Sequence, residues 1–233
     1  MIYAIADLHL SFSDNKPMDI FGKEWEGHAE KIEKNWRAVV REGDTVLIPG
    51  DISWAMNLDD ALNDFMFIEA LPGKKIILKG NHDYWWDTVS KIKAFFSKNG
   101  IQTIELLHNN SFKADNAVIC GTRGWILKSG AGFTAHDLKI YTRELGRLKM
   151  SLASSEDKAG LKIVMLHFPP IGSSKYENEF TDIMREYDID ICLFGHIHSG
   201  VPSEEHDCHI GKTRYKLVSG DHLGFRLFTV AGK

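Results

Sequence analysis

The chain has 233 residues, enough for one α/β domain to enclose one apolar core. Hydrophobic residues make up 43% and charged residues 26%, a globular balance that excludes a disordered, collagen-like or coiled-coil chain. The formal net charge of −4 argues against nucleic acid as an obligate partner, because a phosphate backbone needs a basic surface.

The first residues, Met1–Ala6, run straight into Asp7 without a basic flank or a long apolar stretch. Neither a signal peptide nor a membrane span is expected. Cys120, Cys192 and Cys208 are odd in number, and the first two sit in apolar runs. They read as free thiols of a cytoplasmic protein rather than a disulfide framework. The oligomeric state leaves no mark in the sequence.

In chain order, a strand is predicted over Ile2–Ala6. A helix follows with Trp25, Ala29, Ile32, Trp36 and Val40 on one face. Thr45–Ile48 is the next strand, and a helix over Asp59–Leu71 opens on acidic residues and stops at Pro72-Gly73. Lys75–Leu78 forms a strand before a helix marked by Trp85, Val89, Ile92 and Phe96. After the strand Ala117–Cys120, the segment 129–156 carries a stripe of Leu138, Tyr141, Leu145, Leu148 and Leu152. It reads as an outer-layer helix or as a cap over a pocket. The remaining strands are Lys162–Leu166, Ile191–Phe194, Arg214–Val218 and Phe225–Val230. The last two, separated by Ser219–Gly224, are expected to form a hairpin. Strand and helix alternate through the first half, which implies right-handed crossovers and parallel pairing; strands are denser in the second. Mixed sheets with helices outside are the expected α/β architecture. No linker or repeat divides it, so a single domain over 1–233 is expected.

The chemistry-bearing residues follow the strands. Ile2–Ala6 leads into Asp7-Leu8-His9, Thr45–Ile48 into Pro49-Gly50-Asp51, and Lys75–Leu78 into Lys79-Gly80-Asn81-His82-Asp83. Lys162–Leu166 leads into His167, and Ile191–Phe194 into Gly195-His196-Ile197-His198. The carboxyl ends of parallel strands line one crevice, so residues distant in sequence converge there. Asp7 with His9, and His196 with His198, are spaced so that extended backbone directs both members of each pair the same way. Gly50 and Gly80 each precede a candidate ligand, where glycine permits close approach of backbone. Carboxylate, imidazole and amide donors without thiolate suit Mn, Fe, Zn or Co. Seven ligands exceed the needs of one catalytic ion. They suit two divalent ions about 3.5–4 Å apart that share a carboxylate and activate water against a phosphoryl group.

Taken together and in this order, Asp7-x-His9, Gly50-Asp51, Gly80-Asn81-His82-Asp83, His167 and Gly195-His196-x-His198 resemble the calcineurin-like metallophosphoesterase superfamily. The resemblance spans residues 7–198. It implies a four-layer α-β-β-α sandwich of two mixed sheets flanked by helices. It also implies hydrolysis of phosphomonoesters or phosphodiesters by a hydroxide bridging two metal ions. One ion would be held by Asp7, His9, Asp51 and His198, the other by Asp51, Asn81, His167 and His196. His82 would be the cation or general acid at the leaving group, with Asp83 orienting its ring. Unlike the serine/threonine phosphatases of the superfamily, the chain has Gly50-Asp51-Ile52-Ser53-Trp54 without their substrate-gripping arginine, which argues against a phosphoprotein substrate. Asp7-Leu8-His9-Leu10 resembles the lipid-precursor pyrophosphohydrolases, yet His82 stands where those carry arginine. The alternatives to a phosphoesterase are a metal-binding scaffold without catalysis and a nuclease that works with a partner.

Arg123 follows a strand and is a candidate phosphate ligand, against the simpler reading of a surface arginine in a Gly-rich turn. Trp54 and Trp86 follow ligand motifs and are candidates for a pocket wall, whereas Trp85 reads as core. Asp221-His222 is a candidate to stand behind the ligands. His206-Asp207-Cys208-His209 lacks the second half of a tetrahedral zinc site.

Overall fold

The computed structural model describes residues 1–13, 16–155, 160–172, 177–198 and 206–232. Two mixed sheets stack face to face, with helices on both outer surfaces. The first sheet has five strands: β1 (Ile2–Ala4), β2 (Thr45–Ile48), β3 (Lys74–Ile77) and β4 (Ile104–Leu106) run parallel, and the C-terminal β11 (Phe228–Ala231) pairs antiparallel to β1. In the second sheet, β6 (Ala117–Thr122), β7 (Leu161–Leu166), β8 (Ile191–Phe194) and β10 (Thr213–Leu217) are parallel. Antiparallel β5 (Phe112–Ala114) and β9 (Asp207–Ile210) form its edges.

Alternation along the strands builds three cores. Ile2, Ala4, Leu47 and Ile76 face inward and meet Ile119, Ile163, Met165 and Leu193 of the second sheet. The opposite face, with Tyr3, Val46, Ile48 and Ile77, packs under α1 (His28–Val39), α2 (Leu62–Glu69) and α3 (Val89–Lys98). On the far side, Val118, Val164, Cys192 and Tyr215 pack under α4 (Ala135–Ala153) and α5 (Glu179–Glu186). Strands covered on both faces need apolar side chains at every position, and β2, β6 and β8 are buried throughout. The expected sandwich of two sheets between helices is the observed one. All three cysteines are buried and free.

Some element boundaries differ from those expected. Trp25 lies in a 3-10 turn ahead of α1, because Gly27 adopts φ 59° and starts the helix afresh. α3 starts at Val89, after the Thr88 cap, so Trp85 sits in the preceding loop with its ring in the core. Four elements carry signals too short for periodicity to reveal: β4, β5, β9 and α5. The last is opened by a capping box between Asn178 and Thr181. In α4, Tyr141, Leu148 and Leu152 of the predicted stripe are buried, whereas Leu138 is exposed. This helix lies in the outer layer against β6.

The expected C-terminal hairpin does not form. β10 and β11 belong to different sheets. The chain between them crosses the sandwich edge, where the Gly220 N–H donates to the Ala6 carbonyl at 2.8 Å. Phe225, expected to begin a strand, instead has φ 56° and buries its ring against α1, where the Asn35 side-chain amide donates to its carbonyl. Burying a large aromatic ring favours that turn over continued pairing.

Candidate metal centre

The loops after β1, β2, β3, β7 and β8 meet at one end of the sandwich and bring all seven candidate ligands together. Asp7, His9, Asp51 and His167 are buried; Asn81, His196 and His198 are partly exposed. Backbone conformation marks the same place. Asp7, His9, Asp51 and His196 have positive φ, between 45° and 72°. L-residues rarely adopt this region unless surrounding contacts enforce it. Here the Asp7 and His9 N–H groups donate to Gly50 and Asp51 carbonyls at 3.0 Å, clamping the first loop to the second. Gly50 and Gly80 leave the space this needs. A Cβ on Gly80 would land on the Asp51 carboxylate, and one on Gly50 would sit 2.8 Å from His167 Nδ1.

Two groups of donor atoms emerge. Asp7, His9 and His198 each present one atom within 4.8 Å of the others, as do Asp7, Asp51 and His167. Asp51 Oδ2 lies 3.7 Å from His9 Nε2 and 3.5 Å from His167 Nε2. It is buried and has no hydrogen-bond partner, while Oδ1 accepts the His82 N–H at 2.8 Å. Asn81 Oδ1 lies 2.6 Å from His167 Nε2 and 2.8 Å from His196 Nδ1.

Hydrogen bonds around the rings set their tautomers. His167 Nδ1 is 3.0 Å from the Pro49 carbonyl, which can only accept; a proton on this nitrogen would leave the Nε2 lone pair, 2.6 Å from Asn81 Oδ1, for a metal ion. His198 Nδ1 lies 3.2 Å from Asp221 Oδ1, leaving Nε2 facing His9 Nε2 at 3.4 Å. Asp221 therefore stands behind a ligand, as expected of an outer partner. His222 has no such position among these contacts.

Burial holds the charges in a consistent pattern. It pushes Asp7 well above the usual carboxylate range, with the nearby Asp51 charge adding to it, and it also raises Asp51. It drives His167 and His196 down to about 3, and it lowers His9. Burial lowers His198 too, but the carboxylates of Asp221, Asp7 and Asp51 outweigh it and the net shift is upward. Crowded carboxylates beside neutral imidazoles, with an unpartnered oxygen between them, form a set that a divalent cation satisfies.

The His82 ring borders the centre, 4.3 Å between centroids from Trp54, which itself stacks on His9 at 4.8 Å. Trp54 thus forms a wall of the site, and Lys16 Nζ sits 3.2 Å from its ring centroid. The expected orientation of His82 by Asp83 is not what the structure has. Both Asp83 oxygens are taken by backbone N–H groups of Asp51, Ile52, Ser53 and Gly80 and by the Trp85 indole, and His82 Nδ1 is buried without a hydrogen-bond partner. A carboxylate enclosed by donors cannot also turn toward the ring. Asp83 instead holds the Gly50-Asp51 loop against the Gly80-Asn81 loop. Burial and the Asp51 charge push it up to about 7, against the pull of these donors.

Arg123 is not the surface arginine of the simpler reading. Its carbonyl accepts the His167 and Phe168 N–H groups at 3.0 and 2.9 Å, and its guanidinium lies over Trp125. Both Arg123 and Trp86 line a cavity of about 400 Å³ beside the ligands. Lys79, His108, Arg143 and Arg147 line it as well and were not foreseen. The spacing of Arg143, Glu144 and Arg147 was the available signal. Asp207, Cys208 and His209 of the His206–His209 cluster lie on β9, where Asp207 is engaged by Arg214 and Lys216. Among the described residues, no helix is long and apolar enough to cross a membrane.

Comparison with known proteins bears on the fold and the family. No curated protein matches the chain. Among solved structures, TT1561 of Thermus thermophilus is 13% identical with a TM-score of 0.57, covering 97% of this chain and 96% of that one. A phosphopantetheinyl hydrolase from Mycobacterium tuberculosis is 13% identical with a TM-score of 0.56, over 94% and 88% of the two chains. A protein of unknown function from Aquifex aeolicus is 17% identical with a TM-score of 0.52, over 98% and 94%. At these identities the likeness concerns the fold. The calcineurin-like phosphoesterase profile matches residues 1–200, the part of the chain that carries every candidate ligand. The chain belongs to the calcineurin-like phosphoesterase family, whose members hydrolyse phosphoesters with the help of metal ions.

Proposed function

We propose that the protein hydrolyses phosphomonoesters or phosphodiesters at a dinuclear centre held by Asp7, His9, Asp51, Asn81, His167, His196 and His198. The observation that carries this reading is the position of Asp51 Oδ2, buried, unpartnered, and 3.7 and 3.5 Å from the imidazole nitrogens of two ligand groups. Asp7 also belongs to both groups, but both of its oxygens accept the His196 N–H, at 3.1 and 3.0 Å. Asp51 is therefore the better bridge. The donor set of carboxylates, imidazoles and one amide fits Mn, Fe, Zn or Co. Ions bound there supply Lewis acidity, lowering the pKa of water and neutralising phosphoryl charge.

The chain's own residues do the rest. Asp221 and the Pro49 carbonyl keep the His198 and His167 lone pairs directed inward. Trp54 forms one wall against the His9 and His82 rings. His82 borders the centre, its ring centroid 5.7 Å from that of His9, and would donate a proton to a leaving oxygen. Burial lowers its pKa, and a phosphoryl dianion bound beside it opposes that shift.

The test is hydrolysis of p-nitrophenyl phosphate and bis-p-nitrophenyl phosphate by metal-depleted protein, with Mn²⁺ added back and metal stoichiometry measured in parallel. Two ions per chain and metal-dependent turnover are expected. His82→Ala should retain the ions and lose about 100-fold in rate. Turnover that ignores both metal removal and His82→Ala would reject the proposal.

A further inference from the structure

The cavity lined by Arg123 and Trp86 joins the two sheets at the end where the ligands meet. Lys79 follows β3, His108 follows β4, Arg123 follows β6, and Arg143 and Arg147 come from α4 one turn apart. It abuts the metal centre through the backbone: Lys79 is two residues from Asn81, and the Arg123 carbonyl holds the His167 N–H at 3.0 Å.

The charge of this cavity is lopsided. Four permanent cations, Lys79, Arg123, Arg143 and Arg147, face one lining carboxylate, Asp87, which is itself paired with Lys91 at 2.9 Å. Arg147 is held in place from below by Glu144, a fully buried carboxylate that also accepts the Thr122 hydroxyl at 2.5 Å. Lys79, Arg123 and Arg143 form no salt bridge among the described residues, and Arg123 Nε is buried without a hydrogen-bond partner. Gathering cations in a recess is unfavourable unless a counter-charge arrives. Guanidinium groups at converging angles match a phosphoryl group, which accepts several charge-assisted hydrogen bonds.

We propose that this cavity binds a second phosphoryl group of the substrate, so that the natural ester carries one phosphate at the metal centre and another among Lys79, Arg123, Arg143 and Arg147. The inference rests on the hydrolase reading above. It favours a small bisphosphorylated molecule over a nucleic acid. A polynucleotide would run past the scissile group on both sides, and a second recess, which includes Trp25 against the His9 ring, is lined by Asp19, Glu26 and Glu30. Trp86 forms the remaining wall, 6.4 Å between ring centroids from His108, and suits the apolar body that joins the two phosphates.

Two measurements test this. Inorganic diphosphate is titrated calorimetrically into the metal-free full chain in chelator, comparing wild type, Arg143→Gln and Asp51→Asn. Arg143→Gln should weaken binding about 10-fold or more, while Asp51→Asn should still bind, because the site does not depend on the ions. Separately, metal-loaded wild type and Arg143→Gln are compared on a ribonucleoside bisphosphate and its matching monophosphate. The preference for the bisphosphate should fall about 10-fold in the variant. Diphosphate that does not bind, or binds Arg143→Gln as well as wild type, would overturn the proposal. So would an unchanged preference, which would mark a site for free anions, or displacement of diphosphate by an oligonucleotide without terminal phosphates. Failure of the hydrolase reading looks different: no ester is cleaved with any metal, yet diphosphate binding and its loss in Arg143→Gln persist.

Discussion

The carboxylate of Asp83 accepts the backbone N–H of Asp51 at 2.9 Å, so a residue expected to act on its neighbour His82 instead supports a candidate ligand on another loop. The same carboxylate accepts the Gly80 N–H at 2.7 Å and the Ile52 N–H at 2.8 Å, tying the loops after β2 and β3 together inside the protein.

Asp83→Ala is expected to destabilise the fold more than it alters the chemistry. It strands several buried N–H groups, each costing about 1–3 kcal/mol, so a loss of about 3 kcal/mol or more is expected in urea denaturation of the metal-free protein. His82→Ala removes a ring whose Nδ1 has no partner and should shift the midpoint far less. Equal stability of the two variants would contradict the clamp.

Asp51→Ala should release metal from both groups of ligands, because Oδ2 sits between His9 and His167. Elemental analysis after dialysis is expected to find less than one ion per chain, with turnover falling about 1000-fold or more. A variant that kept two ions would place the bridge elsewhere, with Asp7 the next candidate.

Asp221→Ala removes the partner 3.2 Å from His198 Nδ1 while leaving every candidate ligand in place. Loss of such an outer partner typically costs about 10- to 100-fold in metal affinity. Competition with a chelator measures it, and unchanged affinity would confine Asp221 to a structural role.

Asp207 offers a test of pH dependence away from the centre. Hydrogen bonds from Arg214 lead a set of contacts, including Lys216, that hold it down to about 2, below the usual carboxylate value of 3.8. A depressed carboxylate stabilises the fold above its unfolded pKa and loses that contribution as pH falls toward the folded one. After allowance for solvent screening, Asp207→Asn is expected to cost about 1 kcal/mol at neutral pH. The deficit should shrink as pH falls from about 4 to 2. Urea midpoints across that range measure it, and a constant deficit would mean the ion pairs contribute nothing.

The seven candidate ligands were legible because strand ends and adjoining glycines are local properties; the extended backbone expected across the Asp7/His9 and His196/His198 pairs is replaced by positive φ at Asp7, His9 and His196. Apolar runs such as Thr45–Ile48 and Ile191–Phe194 declare strands buried on both faces, and the loop after each carries a candidate ligand into the crevice. Asp221 was legible only as a candidate, since nothing local indicates that it faces His198. The hairpin expected from Arg214–Val218 and Phe225–Val230 failed because pairing depends on which sheet has an open edge, and β11 finds that edge beside β1.

By itself, then, the sequence determined the candidate donor set and the longer strands and helices, through side-chain chemistry and hydrophobic period, while the four-layer architecture was implied by the family resemblance. Only the tertiary structure decided that Asp83 holds two loops together rather than orienting His82, because its backbone N–H neighbours are set by the fold and not by its chemistry. It alone also gathered Lys79, Arg123, Arg143 and Arg147 from two sheets and a helix into one recess. Charges spread over some seventy residues average away in a net count and act together only once the fold lines one cavity with them.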